Sequence, residues 1–204
     1  VIWAMQDRIV RGPEQPSLAG FGHHHDRWVR QQGEWKLAEQ RLTRLHVDVL
    51  PPATRQPNTG DTKIKGEPQM INDLPIIADW LALSEAKARY CRCLDTKDWD
   101  GFKNLMTEDF ELDLSGASHL GITKGRDAAV AQIRGSIESA KTAHQVHTPE
   151  MVINGDEATV IWPMQDRVLW GEDKPSLVGY GHYNERWRRQ DGQWKLAAQR
   201  LTRL

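Results

Sequence analysis

Three small groups of residues have the types and spacing for acid–base chemistry. Tyr90 and Asp95 lie five positions apart in ARYCRCLDTKDWD, and His144 and His147 lie three apart in AHQVHTPE. Asp166 and Arg203 fall in alternating stretches towards the end of the chain. A histidine titrates near neutral pH and acts as a general base when a carboxylate fixes its tautomer, a service Asp95 could give to either histidine. Tyr90, on the apolar side of a helical pattern, would point its hydroxyl inwards, where a developing oxyanion needs a donor. An inward-facing Asp166 would require a partner such as Arg203, because buried charges must be paired. Each group also has a plainer reading. Tyr90 could be a core tyrosine with a wet tip, Asp95 the cap of a following short helix, the histidines solvated loop residues, and Asp166 and Arg203 ordinary charges on a sheet face.

Other suggestive residues point away from metals and disulfides. His144 and His147 could share a metal on a helix, but no third ligand stands at a supporting spacing, so no metal or other cofactor is expected. In His23-His24-His25, successive strand side chains would point to opposite faces, which suits an incidental role better than a metal site. Cys91 and Cys93, the only cysteines, would diverge on a helix and form neither a disulfide nor a zinc site.

The elements that must position these residues change in character along the chain. Ile76, Trp80, Leu83, Tyr90 and Leu94 recur at helical spacing, with Asn72 or Asp73 ahead of Pro75 as a start signal. A short helix is expected at 98–106, a strand near 109–114 and a further helix at about 125–139. Then Met151–Ile153 and Ala158–Trp170 flank the turn Asn154-Gly155-Asp156, and Leu177–Arg189 and Gln193–Leu201 flank Asp191-Gly192. Pro163, Gly179 and Gly181 inside these stretches suggest bulges. Helices first and antiparallel strands later predict an α+β domain, with a curved sheet wrapped over its helices around a conical cavity.

An internal repeat sets the domain organisation. Residues 1–45 align without a gap to residues 160–204, with 29 of 45 positions identical. Asp7 and Arg44 repeat Asp166 and Arg203, and Trp3, Trp28 and Trp35 repeat Trp162, Trp187 and Trp194, all six tryptophans expected as core or sheet-packing residues. The chain therefore reads as the terminal strands of an incomplete first copy at 1–45, a linker rich in Pro, Gly and Thr at 46–70, and a complete domain at 71–204. Beginning at Val1 with no signal-peptide pattern, it is expected to be a piece of a longer, cytoplasmic protein. Apolar residues make up 39% and charged residues 27%, with no apolar run of the length a helical membrane span requires. A net charge of −1 gives no support to a nucleic-acid surface.

The segments ARYCRCLDTKDWD, AHQVHTPEMVINGDEATVIWPMQDR and GYGHYNERWRRQDGQWKLAAQRLTRL resemble the SnoaL-like branch of the NTF2-like (cystatin-like) superfamily, over nearly all of 71–204. Within it the pattern is similar to the bile-acid 7α-dehydratases, which resemble scytalone dehydratase and a hexachlorocyclohexane dehydrochlorinase in fold and in using a His–Asp pair. The resemblance implies a site of Tyr90, Asp95, His144, His147, Asp166 and Arg203. It also implies a cofactor-independent lyase that dehydrates a hydrophobic cyclic or steroid-like molecule. His144 would be the base, Asp95 its orienting partner and Tyr90 the oxyanion donor. An isomerase or cyclase begins with the same proton abstraction, and a non-catalytic ligand-binding or association module uses the same fold. The expected partners are a small-molecule substrate and further copies of the chain, as a dimer or trimer. The sheet of 1–45 is expected to be covered by a second chain or by the sheet of 71–204.

Overall fold

The computed structural model describes residues 2–9, 15–50, 74–118, 120–171, 174 and 176–204. Two compact units divide at Pro57/Asn58.

Among the described residues the second unit starts with α1 (Leu74–Thr96), followed by α2 (Trp99–Asn104), β4 (Met106–Asp113), β5 (Ile122–Lys124) and α3 (Arg126–Ile137). Five strands complete it: β6 (Lys141–Val146), β7 (Glu150–Asn154), β8 (Glu157–Leu169), β9 (Leu177–Gln190) and β10 (Gln193–Arg203). The start signal at Asn72 or Asp73 lies outside the described residues. The cap of α2 is Asp98, whose carboxylate accepts from the Gly101 amide at 2.9 Å. That frees Asp95, the last acidic residue of α1, from the capping role open to it on sequence grounds.

The sheet runs β5-β4-β10-β9-β8-β6, with β7 continuing along the same edge of β8 as β6. The β8–β9 and β9–β10 neighbours are antiparallel as expected. The β4–β10 pair is parallel, a pairing open to strands that no tight turn connects. The sequence reading missed β5 and β6. In particular, residues 141–146 form an edge strand where a loop was one reading, because KTAHQV carries few of the β-branched and aromatic residues that mark strands. Alternation along β8 and β9 sends Val160, Trp162, Met164, Asp166, Tyr183, Glu185 and Trp187 inwards. They meet the α1 face that carries Leu83, Lys87, Tyr90 and Leu94.

The first unit is a three-stranded antiparallel sheet of β1 (Ile2–Ile9), β2 (Ser17–Gln31) and β3 (Glu34–Leu50). Strand β3 extends to Leu50, so the linker starts later than 46. Its pairing repeats that of β8–β10 at an offset of 159: Asp7 faces Gly20 as Asp166 faces Gly179, and Gly22 faces Arg44 as Gly181 faces Arg203. The hairpin repeats too. Gln32-Gly33 and Asp191-Gly192 both hold positive φ at their two central residues, the requirement of a type I′ turn. Duplicated sequence has produced duplicated register.

Candidate active site

His144 lies on β6 between exposed neighbours, so its ring belongs to the inner face of the sheet, and its side chain is 8% exposed. Across from it, at the end of α1, is Asp95. Its Oδ1 is 2.7 Å from His144 Nδ1, and its Oδ2 accepts from the His144 backbone N–H at 2.9 Å. Thr142, two residues along the same strand face, donates its hydroxyl to Asp95 Oδ1 at 2.8 Å. Lys97 Nζ in turn donates to Thr142 Oγ1 at 3.0 Å and to the Leu94 carbonyl at 3.1 Å. Burial works to raise the Asp95 pKa, but the hydrogen bonds from His144 and Thr142 outweigh it and hold the carboxyl below its ordinary value. Near neutral pH Asp95 is therefore a carboxylate, which can only accept. The proton between the pair then sits on His144 Nδ1, leaving Nε2 as the basic nitrogen.

Asp166 is the direct cross-strand neighbour of His144, on the same face. Arg203 grips it in a bidentate pair at 2.7 and 2.6 Å. Burial favours the neutral form of Arg203, and this paired carboxylate overcomes that and raises its pKa. Gly179, opposite Asp166 on β9, makes the room: a Cβ there would lie 2.1 Å from Arg203 Nη1 and 2.3 Å from Asp166 Oδ1. The glycine expected to mark a bulge thus serves as clearance for this part-buried ion pair.

Tyr90 is fully enclosed, and its hydroxyl donates to Gln199 Oε1 at 2.9 Å. Burial, reinforced by the nearby Glu185 charge, pushes its pKa well above the ordinary value. Gln199 donates onwards to Glu185 Oε1 at 2.7 Å, and Lys87 reaches the same oxygen at 2.5 Å with both side chains wholly buried. Trp162 and Trp187 donate to the other Glu185 oxygen at 2.8 and 2.9 Å. Lys87 Nζ also stands over the Tyr90 and Tyr183 rings, 3.9 and 3.7 Å from their centroids. The phenol proton expected to serve an oxyanion is therefore already in use.

His147 is exposed in the loop after β6, where its backbone amide donates to the Pro163 carbonyl at 2.9 Å. Of the two histidines, the one in the dyad is His144. Concavities of about 490 and 460 Å³ lie elsewhere on the unit, and neither includes Tyr90, Asp95, His144, Asp166 or Arg203. Sequence reasoning missed Thr142, Lys97, Lys87 and Glu185. Lys87 had a signal: it falls four residues after Leu83 and three before Tyr90, on the apolar stripe itself.

Residues 75–200 match the SnoaL-like domain family. The chain belongs to that family. A Gibberella zeae protein named "Probable cyclase FGR4" is 27% identical to this SnoaL-like chain over 133 residues, which span 60% of the chain and 89% of the relative. Among solved structures, a scytalone dehydratase-like protein from Novosphingobium aromaticivorans superposes with a TM-score of 0.58 at 23% identity, covering 63% of this chain and 86% of its own. A type 2 hexachlorocyclohexane dehydrochlorinase gives 0.57 at 18%, covering 65% and 89%. At these identities the solved structures show a shared fold, the NTF2-like and cystatin-like one.

Proposed function

We propose that the second unit is a cofactor-independent lyase that removes water from a hydrophobic cyclic molecule carrying a carbonyl. The observation that carries this reading is the His144–Asp95 pair, with Nδ1 committed to the carboxylate and Nε2 left basic. His144 Nε2 takes a proton from the carbon beside the substrate carbonyl. The released electron pair forms the C=C bond as the C–O bond to the β-hydroxyl breaks, and the imidazolium returns its proton to the departing hydroxide, which leaves as water. Asp95 orients the imidazole and balances its charge, with Thr142 and Lys97 holding Asp95 in place. Arg203, braced by Asp166, is the cation assigned to the developing enolate. Tyr90 positions the floor through Gln199. Trp162, Met164 and Val168 share the inner face with Asp166 on β8, which suits an apolar ring.

A cyclase or isomerase is the second reading, favoured by the cyclase name of the Gibberella relative. It begins with the same proton abstraction and differs in where the proton returns. Incubation with a panel of cyclic β-hydroxy ketones, read by mass spectrometry, separates the two: a dehydratase product is lighter by one water, and an isomerised or cyclised product keeps its mass. His144→Ala should lower kcat/KM by about 10²–10⁴ with the circular dichroism spectrum unchanged. Wild-type turnover by that variant would end the base assignment, and binding of the ketones without any turnover would leave a ligand-binding module.

A further inference from the structure

We infer that the sheet of residues 1–50 is a docking surface for a helical half-domain like this chain's own residues 74–146, supplied by a polypeptide segment outside residues 1–204. The partner is defined by its chemistry: an amphipathic helix with an acid, a lysine eight residues on and a tyrosine three beyond that, all on one face. The same sequence has met two fates in this chain. Trp187 and Trp194 are 0% and 6% exposed beneath α1, whereas their counterparts Trp28 and Trp35 are 40% and 65% exposed. Leu37 and Leu42 are exposed where Leu196 and Leu201 are buried. All four lie on the face equivalent to the core side of β9 and β10, and the shared register keeps them in one patch. Patches of this kind on a sheet mark an interaction site.

The polar residues on that face say what covers it. In the second unit α1 is bound to β9 and β10 by four polar contacts: Asp79 to Arg189 at 2.7 Å and to Trp194 Nε1 at 3.2 Å, Lys87 to Glu185, and Tyr90 to Gln199. The sheet side of every one is kept in the first unit, as Arg30, Trp35, Asp26 and Gln40. Gln40 donates to Asp26 at 3.1 Å as Gln199 donates to Glu185. A sheet that merely stacked on another sheet would have no use for this arrangement of acid, amide, arginine and indole. Exchange between copies of the chain cannot satisfy it. The described residues hold two such sheets and one helical half, so a swap between copies leaves one face uncovered.

The test extends the full chain with a duplicate of residues 71–159 joined ahead of Val1, which presents the probe at high effective concentration. Hydrogen exchange is followed by mass spectrometry, which tells peptides of 17–50 from those of 176–204 by their sequence differences. In the extended chain, exchange across 17–50 should slow at least tenfold relative to the full chain. Trp35→Ser, at an exposed position, should reverse that gain while leaving exchange across 176–204 unchanged. Unaltered exchange in the extended chain overturns the inference. So does finding, by sedimentation, that the unextended chain is a dimer with 28–42 already protected, since a second copy would then be the cover.

Discussion

Asp95 accepts three hydrogen bonds, two from His144 and one from Thr142, and its charge is what the end of α1 and the edge strand β6 share. A carboxyl whose pKa is lower folded than unfolded stabilises the fold above its ordinary value of about 4, and that stability is lost as pH falls through the folded value. Asp95 is of this kind. Asp95→Asn should therefore lower the Tm of the second unit at pH 7, and the gap to wild type should narrow as pH is taken from about 5 to 3. Thermal melts across that range check it, and a gap that stays constant would show that the charge of Asp95 is not what the native state favours. The same bonds favour one tautomer of His144, the preorganisation that its proposed role as general base requires.

At the scale of elements, strand register decides which residues meet. His144, Asp166 and Gly179 stand side by side on β6, β8 and β9, and Arg203 reaches Asp166 across the position where Gly179 has no side chain. Gly179→Ala would drive a methyl carbon into that ion pair, so it should cost roughly 1–3 kcal/mol of stability, the usual range for overpacking. Urea titration against wild type measures this, and a loss within error would mean that the pair shifts freely. The long helix and the two hairpins were legible in the sequence because period and turn residues are local signals, whereas the inward Asp166–Arg203 pair stood there as one of two readings. Strand β6 was not, since its sequence is mostly polar and its identity comes from pairing with β8. Nor was the Lys87–Glu185 pair, whose partners lie 98 residues apart and become obvious only when α1 is laid on β9. Tyr90 was placed correctly on the inner stripe, yet its bond to Gln199 depends on a strand 109 residues away.

Across the whole molecule, one duplicated sequence supports two sheets of equal register and unequal cover. A fully buried aromatic removes about 150–250 Å² from water, worth roughly 4–6 kcal/mol gross at about 25 cal/mol per Å². Trp187 and Trp194 collect most of that term, whereas Trp28 and Trp35 leave much of it uncollected. Backbone hydrogen bonds do not make up the difference, because their net worth in water is about 1 kcal/mol each and ordering a residue costs at least as much. The first sheet should therefore open on its own, below the free energy of global unfolding, as a separate cooperative unit. Native-state hydrogen exchange in low denaturant should find amides of β2 and β3 exchanging through an opening with a small denaturant dependence, and those of β9 and β10 only through global unfolding. Protection factors that coincide between Trp28 and Trp187, or between Leu37 and Leu196, would mean that register alone stabilises these strands and that the helical cover contributes little.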